Sequence, residues 1–397
     1  MPRLADRVMG LQESAIRKLD AVAAARTGVR FYRLNIGQPD IETPAPLREA
    51  IARFTAPVLA YGPSSGTPAA RAAAATYFGR WAPGLEPRHV ALTTGGSEAL
   101  LFAFSAVADP GDEILAPEPY YTNYNGFASV VGARIRPVPT SIADGFALPS
   151  DAVLDAHVTP RTRALVFANP GNPTGAVYPR AELERLGRWA ARHDVFLIGD
   201  EVYRRIWFGE EPTSLLEIPE IAGRAIVADS LSKAWSACGV RLGFFVSRNE
   251  ALMERVERLG QARLGPQPLA QAIGEAALAL PESYYAEQRA LWTGRVDALY
   301  AAVSAIPGVQ AHKPAGAFYL MLRVPGLDAE AFARFLAAEF AHEGESVMVA
   351  PGPGFYADPS RGRDELRLAA VLGEASLQRA AGLLGRAIAA FQARAAG

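Results

Sequence analysis

Apolar positions along the chain fall into two patterns, short continuous runs and longer stretches spaced for one face of a helix. Residues 7–26 place Leu11, Ile16, Leu19 and Val22 on one face, which predicts an amphipathic helix lying on a second domain or a partner surface. Phe31 to Ile36 reads as a short strand, ended by Gly37 and Pro39, and Pro68 to Trp81 as an Ala-rich helix. Strand His89–Thr94, a Gly95-Gly96-Ser97 turn, helix Glu98–Val107 and strand Glu113–Ala116 follow, and 126–161 holds helix, strand and connector. Apolar runs at Ala164–Ala168, Val195–Ile198 and Ala225–Ala228 predict buried strands, with an amphipathic helix at Arg180–His193. Strand and helix thus alternate, as a doubly wound α/β sheet requires.

Beyond residue 248 the rhythm changes. Helices are expected at Asn249–Arg263, Ala270–Leu280 and Tyr284–Ile306, the last long enough to bridge two domains. Strand Gly316–Met321, helix Asp328–Glu343, strand Val347–Ala350, strand 365–370 and a terminal helix complete the chain.

A length of 397 residues suggests two or three domains with a large core. The formal net charge of −1 argues against a nucleic-acid partner, which would need a basic face. Five His and the single Cys238 supply neither a zinc-like cluster nor a disulfide framework, so no metal is expected. The start, M-P-R-L-A-D-R, has no apolar signal core, and no uncharged run suffices to span a bilayer; a soluble cytoplasmic protein is expected.

Chemistry gathers at the ends of the expected strands, where open α/β sheets place their ligand crevices. After Ala225–Ala228 comes D-S-L-S-K-A-W-S-A-C-G-V-R-L-G, with Lys233 among Ser230 and Ser232 and with Arg241 downstream. A lysine there can form a Schiff base with an aldehyde, while two hydroxyls and a guanidinium suit a phosphate dianion. Aldehyde and phosphate on one small ring describe pyridoxal 5′-phosphate. The competing reading of S-x-S-K alone is a surface lysine beside a turn. Gly95-Gly96-Ser97 between strand and helix presents backbone N–H groups to an anion, or is a plain turn. Tyr121 offers a flat face to a ring, or packs in the core.

N-P-G-N-P-T-G at 169–175 forces an irregular loop that frees the Asn172 amide to point into a crevice. Asp200 at the end of a buried strand is costly unless paired, and a protonated pyridine nitrogen would pair it; a helix N-cap is the alternative. Tyr203, three residues on, would reach a phenolate oxygen. Gly37 serves a tight turn or a ligand's close approach to the backbone. Arg367, inside an apolar strand, needs a partner, either a structural carboxylate or a substrate carboxylate gripped bidentately.

From N-I-G-Q-P-D at 35–40 to R-L-A-A at 367–370, with N-P-G-N-P-T-G, D-E-V-Y and S-L-S-K-A-W-S-A-C-G-V-R-L-G in order between them, the chain resembles the class I/II aminotransferases related to aspartate aminotransferase. That resemblance implies a fold-type I pyridoxal-phosphate transferase, with residues 1–47 as N-terminal arm and part of a small domain. Residues 48–290 would form the large cofactor-binding domain and 291–397 the C-terminal small domain. It implies Lys233 as Schiff-base lysine and proton shuttle, Asp200 at the pyridine nitrogen, and Asn172 and Tyr203 at the phenolic oxygen. Gly95, Gly96, Ser97, Ser230, Ser232 and Arg241 would surround the phosphate, with Tyr61 reaching it from a second subunit of a homodimer. Tyr121 would stack on the ring, and Arg367 with Gly37 and Asn172 would hold the substrate carboxylate. The implied reaction passes the amino group of an L-amino acid to a 2-oxo acid in two half-reactions, with aspartate-type substrates among the options. No arginine is identifiable as a clamp for a second carboxylate. The rival on the same scaffold is a lyase or a cyclising synthase. A pyridoxal-phosphate sensor is disfavoured by the presence of Lys233, Asp200 and Arg367. A nicotinamide enzyme fails for want of G-x-G-x-x-G.

Overall fold

The computed structural model describes residues 2–9 and 15–396, the side chains of 15–17, 395 and 396 excepted. Leu11 and the side chain of Ile16 lie outside the described residues. The expected N-terminal helix is seen as Asp6–Met9 and Ala15–Ala24. The second piece packs on helix Ala329–Ala338, burying Leu19 and Ala23 while Val22 stays exposed. Arg26 fixes it there by donating to the carbonyls of Ala337 and Phe340.

Seven strands form the main sheet: β1 (Val90–Thr93), β2 (Glu113–Glu118), β3 (Arg134–Pro139), β4 (Thr162–Ala168), β5 (Phe196–Asp200), β6 (Ala225–Ser230) and β7 (Gly243–Val246). Their order is β1-β7-β6-β5-β4-β2-β3, parallel throughout except that β7 runs against both neighbours. The centre of a parallel sheet is covered on both faces, so β4, β5 and β6 are apolar along their length rather than alternating. Helix Arg180–His193 shows the complementary logic: Leu183, Leu186, Gly187, Trp189 and Ala190 form one buried stripe, and Asp194 ends the helix in a left-handed conformation. Side-chain caps start other helices, Thr67 before Pro68–Phe78 and Asn249 before Glu250–Arg263.

β7 has no counterpart in the expected elements. Its four residues follow the Arg241 loop without a turn signal of their own, and a run that short carries no periodicity. Gly243 lets it pass the β1 turn, because a Cβ there would lie 2.3 Å from the carbonyl carbon of Gly95.

A second core surrounds an antiparallel sheet of Ala350–Pro351, Glu365–Ala369, Tyr319–Arg323 and Gln310–Ala311, with a parallel pair of Arg30–Arg33 and Glu345–Met348 beside it. Helix Ala329–Ala338 ends five residues short of the expected Glu343, because the chain turns at Glu339 to tuck Phe340 against Phe335. The 23-residue helix Glu282–Ser304 belongs to both cores: Tyr285 packs in the first, while Trp292, Val296, Leu299 and Val303 pack in the second. Among the described residues no helix is long and apolar enough to cross a membrane.

Gly243→Ala should lower unfolding stability by about 2–3 kcal/mol, since the methyl would meet the Gly95–Gly96 peptide, which is backbone and cannot swing aside. Denaturant unfolding checks this, and an unchanged midpoint would mean that the β1 turn yields freely.

Candidate active site

The C-terminal ends of β1, β4, β5 and β6 open on a cavity of about 810 Å³, closed on its far side by residues of the second core. Lys233 follows β6 by three residues and is half-buried in the cavity wall. Its Nζ donates to the Gly37 carbonyl oxygen at 2.7 Å. No carboxylate lies within ion-pair distance of it among the described residues.

Asp200, the last residue of β5, is buried. Tyr124 donates its hydroxyl to Oδ2 at 3.0 Å, while Oδ1 is buried without a partner. Burial pushes this carboxyl up to about 6, against the Tyr124 hydrogen bond and the positive charge of Lys233. Its N-cap alternative fails, because no helix starts here: β5 runs into a turn. Glu201, its neighbour, is instead held by the Ser214 hydroxyl and the Leu215 amide, away from the cavity.

Arg367 is buried in the second core's sheet. Its Nη2 donates to the Asn35 carbonyl oxygen at 2.6 Å and its Nη1 to Asn172 Oδ1 at 3.2 Å; Nε has no partner. Its guanidinium carbon sits 4.5 Å from the ring centre of Tyr319 and 4.8 Å from that of Phe355. No structural carboxylate pairs with it among the described residues, which removes the plainer explanation for its presence. Desolvation lowers its pKa, the mark of a buried cation without a counter-ion.

Gly37 has a further reason to lack a side chain. A Cβ there would lie 1.7 Å from the Tyr319 hydroxyl oxygen, so the glycine makes room for a side chain of the second core. That hydroxyl in turn meets the Tyr203 hydroxyl at 2.8 Å. The loop 169–175 is fixed from the same side, for the Gly175 carbonyl oxygen accepts from the amides of Ala315 and Gly316.

At the other end of the cavity, Gly95 turns the chain with φ 78° into the helix Gly96–Val107, whose first residues Gly96 and Ser97 line the wall together with Ser230 and Ser232. The Ser97 and Ser232 hydroxyls have no partner among the described residues. Arg241 beside them is in the left-handed region (φ 58°), held by its own contacts to the carbonyls of Cys238 and Thr94. A non-glycine residue there is an outlier that the surroundings must hold in place. The Gly95 position is kept free of a side chain, since a Cβ would come within 2.5 Å of the Arg241 guanidinium. This donor set suits a dianion at one end of the cavity, a protonated ring nitrogen at the Asp200 oxygen, and a carboxylate at Arg367.

Gly37, Gly96, Ser97, Tyr121, Asn172, Asp200, Tyr203, Ser230, Ser232, Lys233, Arg241 and Arg367 all line this one cavity, and Gly95 stands directly behind it. Tyr61 does not reach it, being 85% exposed on the loop after helix Ala45–Arg53. Sequence reasoning missed four residues, Tyr124, Tyr319, Asn35 and Asp20. A polar Asn35 inside the apolar F-Y-R-L-N-I was a usable signal; the others depend on contacts made across the fold.

The class I and II aminotransferase family model matches residues 30–382. An aspartate/prephenate aminotransferase from Thermus thermophilus is 32% identical over 98% of this chain and the whole of that protein. An arginine–pyruvate transaminase from Pseudomonas aeruginosa is 32% identical over 91% of this chain and 90% of its own length. The solved aspartate aminotransferase of T. thermophilus with maleate superposes with a TM-score of 0.87 at 30% identity, covering 98% of this chain and all of that one. These relatives are transaminases, and they do not favour the lyase or synthase alternative. Motif order, cavity and relatives converge: the chain belongs to the class I and II aminotransferases, enzymes that move an amino group to a 2-oxo acid with pyridoxal 5′-phosphate as cofactor.

Proposed function

We propose that the cavity is a transamination site, with Lys233 as its covalent anchor and base. The observation carrying this reading is that Lys233 shares one cavity with a buried, half-satisfied Asp200 and an uncompensated Arg367. Bound pyridoxal 5′-phosphate supplies the electron sink that makes the substrate α-proton removable. Ser97, Ser230, Ser232, Arg241 and the amides behind Gly95 and Gly96 hold its phosphate, Tyr121 lies against its ring, and Asn172 and Tyr203 meet its phenolic oxygen. Asp200 would accept the ring N–H, with Tyr124 orienting the carboxylate through Oδ2. Arg367 holds the substrate α-carboxylate, with Asn172 and the Gly37 backbone fixing its approach. Lys233 Nζ would be the base for the substrate α-proton, once released from the Gly37 carbonyl oxygen to which it donates here.

Residues 56–62 support a homodimer, with Val58 72%, Leu59 75% and Tyr61 85% exposed in one short stretch; a second copy covers these apolar groups and brings Tyr61 to the neighbour's phosphate end. We also propose division into an N-terminal arm (1–47), a large domain (48–290) and a small domain (291–397), with the long helix shared. Tyr32 and Leu34, packed in the second core with residues of 291–397, support it. A reducing cytoplasm suits a chain whose one cysteine is free.

Lys233→Ala should abolish amino transfer, read as 2-oxo acid release from single amino acids, and should leave borohydride unable to fix the cofactor to the chain in mass spectra. Normal turnover by this variant would refute the assignment. Arg367→Lys keeps the charge and loses the fork, so KM for donor and acceptor should both rise about 10–100-fold with kcat less affected. Asp200 binds its proton more tightly folded than unfolded, so it lowers the stability of the cofactor-free protein as pH rises from about 4 to about 6. Relative to wild type, Asp200→Asn should therefore gain about 3 kcal/mol across that window, measured as the difference between two urea titrations.

A further inference from the structure

Among the described residues, Lys233, Arg241 and Arg367 are the only basic ones in the lining, and the proposed site uses all three. The lining also holds an acid. Asp20, on helix Ala15–Ala24, lines the cavity with a side chain about a quarter exposed. Its Oδ1 takes both of its protein hydrogen bonds, from Arg33 Nη1 at 2.5 Å and from Asn35 Nδ2 at 3.1 Å. Oδ2 has no partner among the described residues. Arg33 is not part of the lining.

Asn35 sets the position of this acid. Its backbone oxygen holds Arg367 and its amide nitrogen holds Asp20, so one residue ties the carboxylate grip to the acid beside it. An ionised Asp20 only accepts, which fixes the amide with Nδ2 toward it and leaves Asn35 Oδ1 as a buried acceptor without a partner. Two adjacent acceptors lacking donors, one of them charged, are costly beside an apolar or anionic group and are satisfied by N–H groups. Asn35 is wholly buried, so Asp20 is the group an incoming side chain meets first.

We propose that Asp20, backed by Asn35, selects the amino donor's side chain and takes a cationic nitrogen, guanidinium or ammonium, in preference to a second carboxylate. This rests on the transamination reading above. The donor's carboxylate would then sit at Arg367 and its cationic nitrogen at Asp20, while a dicarboxylate would set its second charge against the acid.

The test uses the holoenzyme with L-arginine, L-alanine and L-aspartate as donors. Wild type should favour arginine over aspartate by at least about tenfold in kcat/KM. Asp20→Asn should cost arginine about tenfold and leave alanine within about twofold, and Asp20→Glu should restore arginine. Calorimetry with 4-guanidinobutanoate and succinate reads the same preference without turnover, the first binding tighter to wild type and losing its advantage in Asp20→Asn. A wild-type preference for aspartate and succinate would overturn the proposal. So would an equal loss for all three donors in Asp20→Asn, which would make Asp20 only an anchor for its helix. Failure of every amino acid to convert, with the binding preference intact, would count against the transamination reading instead.

Discussion

Much of the site depends on the space taken by one phenol. Tyr319 comes from the second core, packs its hydroxyl against the bare Cα of Gly37, meets Tyr203, and lies under the Arg367 guanidinium. The carbonyl of that same Gly37 accepts from Lys233. A ring seated this closely transmits the position of one core to the other, because a well-packed interior does not absorb a displaced atom. The amine, the guanidinium and the Tyr203 hydroxyl therefore keep their spacing only while the two cores stay in register, and the shared helix Glu282–Ser304 holds that register from behind.

The first core and its strand ends were legible because a parallel sheet writes itself as apolar runs, and each run stops at a residue that cannot be buried cheaply. Asn172, Asp200 and Lys233 stand out on that ground alone. Arg367 stood out by being charged in a strand. Short pairings were not legible. β7 is four residues behind an active loop, and the end of helix Ala329–Ala338 is set by where Phe340 finds a pocket. Partners fixed by tertiary contact were hidden as well. Three tyrosines within five positions look alike in sequence, yet Tyr124 is the one buried against Asp200, while Tyr121 lines the cavity. Gly37 drew attention for a sound reason, but the side chain that crowds it lies 282 positions away in the chain and is invisible from its neighbours.

Asp200 and Arg367 show the same economy in opposite signs. Each is a buried charge-bearing group given fewer hydrogen bonds than it can make, and each belongs to a residue of the cavity wall. Folding alone would favour filling both, so their retention costs stability that a complementary ligand returns on binding.

Arg367 also bears on how one site handles two different molecules in turn. The amino acid that arrives, the 2-oxo acid that leaves, the acceptor that follows and the final product all carry a single carboxylate next to the reacting carbon. A guanidinium with no internal counter-ion treats these four alike. In the proposed role it would fix the reacting carbon at one distance from Lys233 whichever molecule is present, and contribute nothing to telling them apart. Identity is thereby left to the far wall of the cavity, so that wall can change its residues, and the enzyme its substrate, without disturbing the grip that makes the chemistry possible.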